Sequence, residues 1–254
     1  MATGKTLLFI PTYNEHENVE RTYNLIKALN LDHDLLFLDD NSPDGTGKIL
    51  DEIARRDSRV SVIHRSGRLG IGSAHQHGIR HAYDNHYQIL ISMDCDLTHR
   101  PEDIPRFLAE ADRADVVLGS RFLQHESLAD WNLLRKFLTH LGHLLTKHFL
   151  RVPYDATGAF RLYRLDHIRR EVFELVQSAS YSFFFESLYI LCLSKARVVE
   201  VPIPLPKRTY GHSKMRTVDV LSSVKRLVVL FFQGFRYKSA LRRLDARVEA
   251  EADV

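Results

Sequence analysis

Short apolar runs alternate with helix-period segments through the first half of the chain. The runs lie at residues 6–10 (TLLFI), 34–38 (DLLFL), 60–64 (VSVIH), 88–93 (QILISM) and 115–120 (DVVLGS). Between them, residues 15–29, 45–56, 70–85 and 101–112 place apolar side chains at helical spacing. Strands alternating with helices predict βαβ units and a mostly parallel sheet flanked by helices. Such a sheet binds ligands beyond the carboxyl ends of its strands. The polar clusters fall there: PTYNE after the first run, DDNSPDGT after the second, DCDLTHRPED after the fourth.

The second half is less regular. Residues 131–150 carry helical spacing, 157–164 (TGAFRLYR) read as a strand, and 181–196 (YSFFFESLYILCLSKA) as a largely buried helix. Residues 197–206 (RVVEVPIPLP) read as an edge strand stopped by prolines. A basic loop, 207–216, precedes a dense apolar segment carrying Lys225, Arg226, Arg236 and Lys238. The expected division is 1–216 as the main domain, 217–240 as an amphipathic helix and 241–254 as a charged tail that frays.

Bulk properties change this picture little. The 254 residues suffice for a full core. A net charge of +3 is too small to imply nucleic acid, though it suits a phosphate-rich ligand or an anionic surface. Two cysteines make no disulfide framework and fit a reducing cytosol. The N-terminus does not read as a signal peptide, and no apolar stretch is long enough to span a bilayer.

Candidate chemistry concentrates at three places. Asp39 and Asp40 precede a turn-forming cluster, so they either brace that turn or offer a carboxylate to a ribose or base. The glycines at 67, 70 and 72 do not have dinucleotide-fingerprint spacing, and there is no P-loop. Asp94 and Asp96 stand two apart at a strand end, on one side if the strand stays regular. Like charges so placed repel unless a cation lies near, and magnesium or manganese binds through one or two carboxylates plus substrate phosphates. Thr98 reads either as a third donor or as the cap of the next helix. Arg121, Arg135, Arg161, Arg164, Arg208 and Lys214 read singly as surface charges and together as a set able to neutralise phosphates. His77 and His81 read as surface histidines. The last apolar segment packs on the domain or lies on a membrane.

Taken in order along residues 5–235, these motifs resemble the family-2 glycosyltransferases of GT-A fold. More narrowly, they resemble the polyprenyl-phosphate (dolichyl-phosphate) mannosyltransferases. The resemblance implies an α/β, Rossmann-like sheet and inverting, metal-dependent transfer of mannose from GDP-mannose to a polyprenyl monophosphate. The same fold transferring glucose, an N-acetylhexosamine or an amino sugar from a UDP-sugar to undecaprenyl phosphate is the alternative. The resemblance implies that Pro11, Tyr13 and Glu15 line the nucleotide pocket and that Leu38 and Asp40 hold base and ribose. It makes Asp94, Cys95 and Asp96 the DxD element, with Asp94, Asp96 and Thr98 around Mg2+ or Mn2+. Arg121, Arg208 and Lys214 would contact diphosphate, sugar or acceptor phosphate, and Arg135 and Thr139 would help hold the acceptor phosphate. Cys95 stands where alanine is usual, and Thr98 where glutamine or serine is common. It also implies a peripheral protein on the cytosolic face of a membrane, resting on its last helix or on a membrane partner subunit.

Overall fold

Every second residue of the first two strands faces the same layer, and both layers are apolar. In a computed structural model, Leu7, Phe9, Leu36 and Leu38 point into one core, while Leu8, Ile10, Leu35 and Phe37 point into the other. A strand buried on both faces must read as a continuous apolar run, which is the signature of a parallel sheet covered by helices. The structure describes residues 4–124, 133–204, 206 and 217–252, without the side chains of 133–135, 138 and 247–252.

The elements in chain order are β1 (Thr6–Thr12), α1 (Val19–Ala28), β2 (Asp34–Asp39), α2 (Thr46–Arg56), β3 (Val60–His64), α3 (Ile71–Asp84) and β4 (Ile89–Ser92). Then come α4 (Ile104–Glu110), β5 (Val116–Ser120), α5 (Leu133–Phe149), β6 (Arg161–Arg164), α6 (Arg170–Glu174), α7 (Phe183–Leu193), β7 (Val198–Pro202) and α8 (Thr217–Ala252). The sheet order is β3-β2-β1-β4-β6-β5-β7. β6 runs antiparallel to both neighbours and the other pairings are parallel. The order reverses between β1 and β4, so the crevice beyond their carboxyl ends is a topological switch point.

One core packs α1, α2 and α4 on the sheet, and the other packs α3, α6, α7 and α8. α7 is buried along nine consecutive positions, Phe183 to Leu191, which explains its lack of a polar face. Glu186 lies within it at 0% exposure. Its carboxylate accepts the Gln177 N–H (2.8 Å), and Arg226 of α8 donates to it through Nε (2.9 Å) and Nη2 (2.5 Å). The Tyr237 hydroxyl also accepts from Arg226 (2.9 Å). This ion pair, with its carboxylate wholly buried, fixes α8 on the rest of the fold. α8 does not end near 240 but continues to Ala252, so most of the expected charged tail is helical. Among the described residues, no helix is long and apolar enough to cross a membrane.

Candidate functional site

β1 and β2 leave the sheet side by side, with Thr12 opposite Asp39. The two turns that follow are bonded to each other. The Asn14 N–H donates to Ser42 Oγ (2.9 Å), the Glu15 N–H to Thr46 Oγ1 (2.9 Å) and the His16 N–H to Asp44 Oδ2 (3.1 Å). Asp39 accepts hydroxyls from Ser42 (2.5 Å) and Thr12 (3.3 Å), and so braces the turn from within. Asp44 accepts both the N–H and the hydroxyl of Thr46, and Gly45 between them sits at φ 92°, where a side chain would be strained.

Asp40 has another partner. Arg65, at the end of β3, donates through Nε to Asp40 Oδ1 (2.5 Å) and through Nη1 to Ser73 Oγ (2.7 Å). Both members of the pair are buried. Burial pushes the Asp40 carboxyl up from its ordinary value, and Arg65 works against that rise. Arg68 stands 5.0 Å over the Tyr13 ring. Pro11 and Tyr13 are half-buried at this wall. Leu38 turns its side chain wholly into the core and offers only its carbonyl, which accepts the Thr12 hydroxyl (3.3 Å). Glu15 is buried and accepts from Asn18 Nδ2 (2.7 Å). The nearby glycines serve close packing: a Cβ on Gly70, at φ 96°, would meet the Ala179 carbonyl oxygen at 2.4 Å, and one on Gly72 the Ser180 oxygen at 2.6 Å.

Beyond β4 the chain leaves regular strand geometry at Ser92, so Asp94 and Asp96 stand on a loop and not on the strand itself. Of the three residues, only Asp94 is partly exposed, and Cys95 and Asp96 are buried. Cys95 packs into the core with its carbonyl accepting the Thr22 hydroxyl (3.0 Å), while Asp94 is 34% exposed on its side chain. Thr98 does not cap the following 3₁₀ turn at Pro101–Asp103, whose N-cap position is Arg100. Its N–H (3.1 Å) and hydroxyl (2.6 Å) both donate to Asp96 Oδ1, fixing that carboxylate. The Asp94 N–H donates to Nδ1 of buried His99 (2.9 Å), which fixes that ring's tautomer and ties the loop to its own base. Among the described residues, no three His, Cys, Asp or Glu side chains group so as to hold a metal. Asp94, partly exposed, and Asp96, with Oδ1 held by Thr98, are oxygen donors of the kind that magnesium and manganese take.

At the end of β5, Arg121 is not a surface charge. Its Nε (2.8 Å) and Nη2 (2.5 Å) donate to Asp155, a residue with 1% exposure, and Nη2 also bonds Thr157. Burial pushes the Asp155 carboxyl up, but the Arg121 guanidinium overrides this and holds it below its ordinary value. These bonds engage Nε and Nη2 of Arg121, whose side chain is 10% exposed. Arg161 is 1% exposed and has no carboxylate partner among the described residues. It donates to the carbonyls of Gly158 and Ala156 (2.8 Å each) and to Ser187 Oγ (3.2 Å). Arg161 lies in register with Ser92, two residues before Asp94, so a buried positive charge underlies the site. His75, also buried, packs against Phe9, Phe183 and Phe184. Burial first, and Arg161 second, hold His75 down to about 3, so it is neutral.

α5 reaches this edge through Phe122, which stacks on His143 at 4.2 Å. Thr139 lies four residues before His143, on the same helical face. The side chain of Arg135, and all of Arg208 and Lys214, lie outside the described residues. The structure thus gathers Pro11, Tyr13, Asp40, Asp94, Asp96 and Arg121 at one sheet edge. Sequence reasoning missed Arg65, Arg68, His99 and Asp155. It also read Arg161 as a surface cation, although a charge inside the strand pattern FRLYR was the available signal.

Residues 8–172 match the Glycosyl transferase family 2 model. The chain is 35% identical over 212 residues to an undecaprenyl-phosphate mannosyltransferase of Micrococcus luteus, covering 83% of this chain and 87% of that one. It is 34% identical over 235 residues to a polyprenol monophosphomannose synthase of Mycolicibacterium smegmatis, covering 91% and 89%. Among solved structures, glucosyl-3-phosphoglycerate synthase from Mycobacterium tuberculosis, crystallised with Mn2+, UDP and phosphoglyceric acid, superposes with a TM-score of 0.61. That match has 18% identity and covers 91% of this chain and 78% of that one.

Proposed function

Because the chain belongs to glycosyl transferase family 2 and is a glycosyltransferase of GT-A type, we propose that it transfers mannose from GDP-mannose to a polyprenyl monophosphate, with inversion at the anomeric carbon. The observation that carries this reading is the likeness along most of both chains to two lipid-phosphate mannosyltransferases.

The nucleotide lies along Pro11, Tyr13 and Asp40, with Arg65 holding the Asp40 carboxylate in place. Asp94 and Asp96 would hold Mg2+ or Mn2+, which supplies neutralisation of the departing diphosphate. Thr98, with its hydroxyl committed to Asp96, positions that carboxylate. Arg121, at the end of β5, contacts the acceptor phosphate, and Arg135 and Thr139 of α5 would help hold it. Arg208 and Lys214 stabilise the leaving group from the basic loop. No general base is required, because a phosphate monoester with a second pKa near 6 is already largely dianionic at neutral pH. The acceptor oxygen attacks the anomeric carbon as the diphosphate leaves on the opposite side.

The lipid acceptor demands a membrane. On α8, Leu221, Val228, Phe232 and Phe235 are exposed, at 70%, 44%, 77% and 78%, and Phe149 of α5 packs edge-on against Phe231 beside them. This surface rests on the bilayer, on the cytosolic side.

Comparing a short polyprenyl phosphate with the matching polyprenol tests the reading. Mannose is expected on the phosphate alone, as the inverted anomer by NMR, with a rate that falls as pH drops through the acceptor's second ionisation near 6. Equal use of the alcohol would contradict it.

A further inference from the structure

Exposed apolar residues on α8 recur as Leu221, Val224, Val228, Phe231 and Phe235, spaced three and four apart, which places them in one stripe. Beside the C-terminal part of that stripe, a cleft of about 590 Å3 opens between α8 and the segment after α6. Its size falls within the range of small-ligand pockets, about 300–1,000 Å3. Arg236 and Arg243, seven residues apart on one flank of the helix, line it together with Gln233, Ser239 and Phe235. Both arginines are exposed. The acidic residue of the lining, Glu174, accepts from Arg170 Nε (3.2 Å), so its charge is already engaged. The cleft thus offers two guanidinium groups with an exposed aromatic ring at its rim. That combination suits a ligand with a phosphate next to acyl chains.

We infer that this cleft binds the phosphate headgroup of an anionic glycerophospholipid, so that α8 selects anionic bilayers and does not merely adhere to any apolar surface. The inference rests on the membrane-contact reading above and concerns a site separate from the transfer chemistry. A second copy of the helix is the competing occupant. The stripe argues against it, because its next two positions are Lys238 and Arg242, and a parallel copy would bring like charges together along the seam.

The test uses the full chain and two charge-matched variants: Arg236→Gln with Arg243→Gln in the cleft, and Lys238→Gln with Arg242→Gln at the C-terminal end of the stripe, outside the cleft lining. Binding is measured to phosphatidylcholine vesicles with and without phosphatidylglycerol. Each basic residue near an anionic surface contributes about 1 kcal/mol by general attraction, so charge loss alone weakens both variants alike. The cleft predicts a loss roughly tenfold greater in the Arg236/Arg243 variant than in the Lys238/Arg242 variant. It also predicts saturable binding of monomeric dihexanoyl-phosphatidylglycerol that only the cleft variant loses. Equal losses in the two variants, or no binding of the soluble lipid, overturn the cleft and leave the membrane reading standing. Wild-type protein that binds no vesicle while still mannosylating a lipid phosphate in detergent overturns the membrane reading, and the soluble lipid then decides the cleft by itself. A concentration-dependent dimer abolished by Phe235→Ser would assign the stripe to a second copy.

Discussion

Asp96→Asn is expected to lower glycosyl transfer by roughly a hundred- to a thousandfold while leaving the melting temperature near that of the wild type. The magnitude is that of losing one preorganised group aimed at developing transition-state charge, about 3–4 kcal/mol. Asparagine is the informative replacement because Asp96 is 3% exposed and its Oδ1 accepts two bonds from Thr98. An amide oxygen still accepts both, so the loop keeps its shape and only the charge is removed. Calorimetric titration with Mn2+ in the presence of GDP should show weakened metal uptake in step with the lost rate. Activity within about threefold of wild type would remove Asp96 from the reaction.

The largest expected effect on stability comes from the ion pair that seats α8. Arg226→Met leaves the Glu186 carboxylate buried without its cation, a loss of about 3–5 kcal/mol. For a chain of this size that is a fall in Tm of about 10 °C. The Gln177 N–H and the Ser178 hydroxyl remain as donors but cannot replace a bidentate guanidinium. Adding Glu186→Gln should recover a good part of the loss, because the uncompensated charge is then gone. Thermal melts of the two single variants and the double variant check this. A cost below about 1 kcal/mol for Arg226→Met would mean that apolar packing alone seats α8.

Much of the fold was legible because each strand is apolar on both faces and each intervening helix on one. The periodicities of two and 3.6 survive in the sequence and give β1 to β5 directly. β6 was read as a strand from TGAFRLYR, but its direction was not legible, since one strand reads alike both ways. The five-residue α6 is too short to show a period.

The site was legible to the extent that its residues end strands. Asp40, Asp94 and Asp96 stand out because a charge after an apolar run needs a reason. The partners of those residues come from distant chain segments and carry no local signal. Arg65 reaches Asp40 across 25 positions, and Asp155 reaches Arg121 across 34. Thr98 shows the same limit at short range. Its spacing fits a cap or a ligand equally well, and only the geometry shows a third role, bracing Asp96.

The central claim is that this sheet edge moves mannose from GDP-mannose onto a lipid phosphate with a divalent cation at Asp94 and Asp96. The most direct test is a donor screen in which GDP-mannose, UDP-glucose and UDP-N-acetylglucosamine compete for one short polyprenyl phosphate, with Mg2+ or Mn2+ and then with a chelator. The account predicts mannosyl-phospholipid from GDP-mannose and its loss on chelation. Product from a UDP-sugar with GDP-mannose left intact, or turnover undiminished by the chelator, would contradict it.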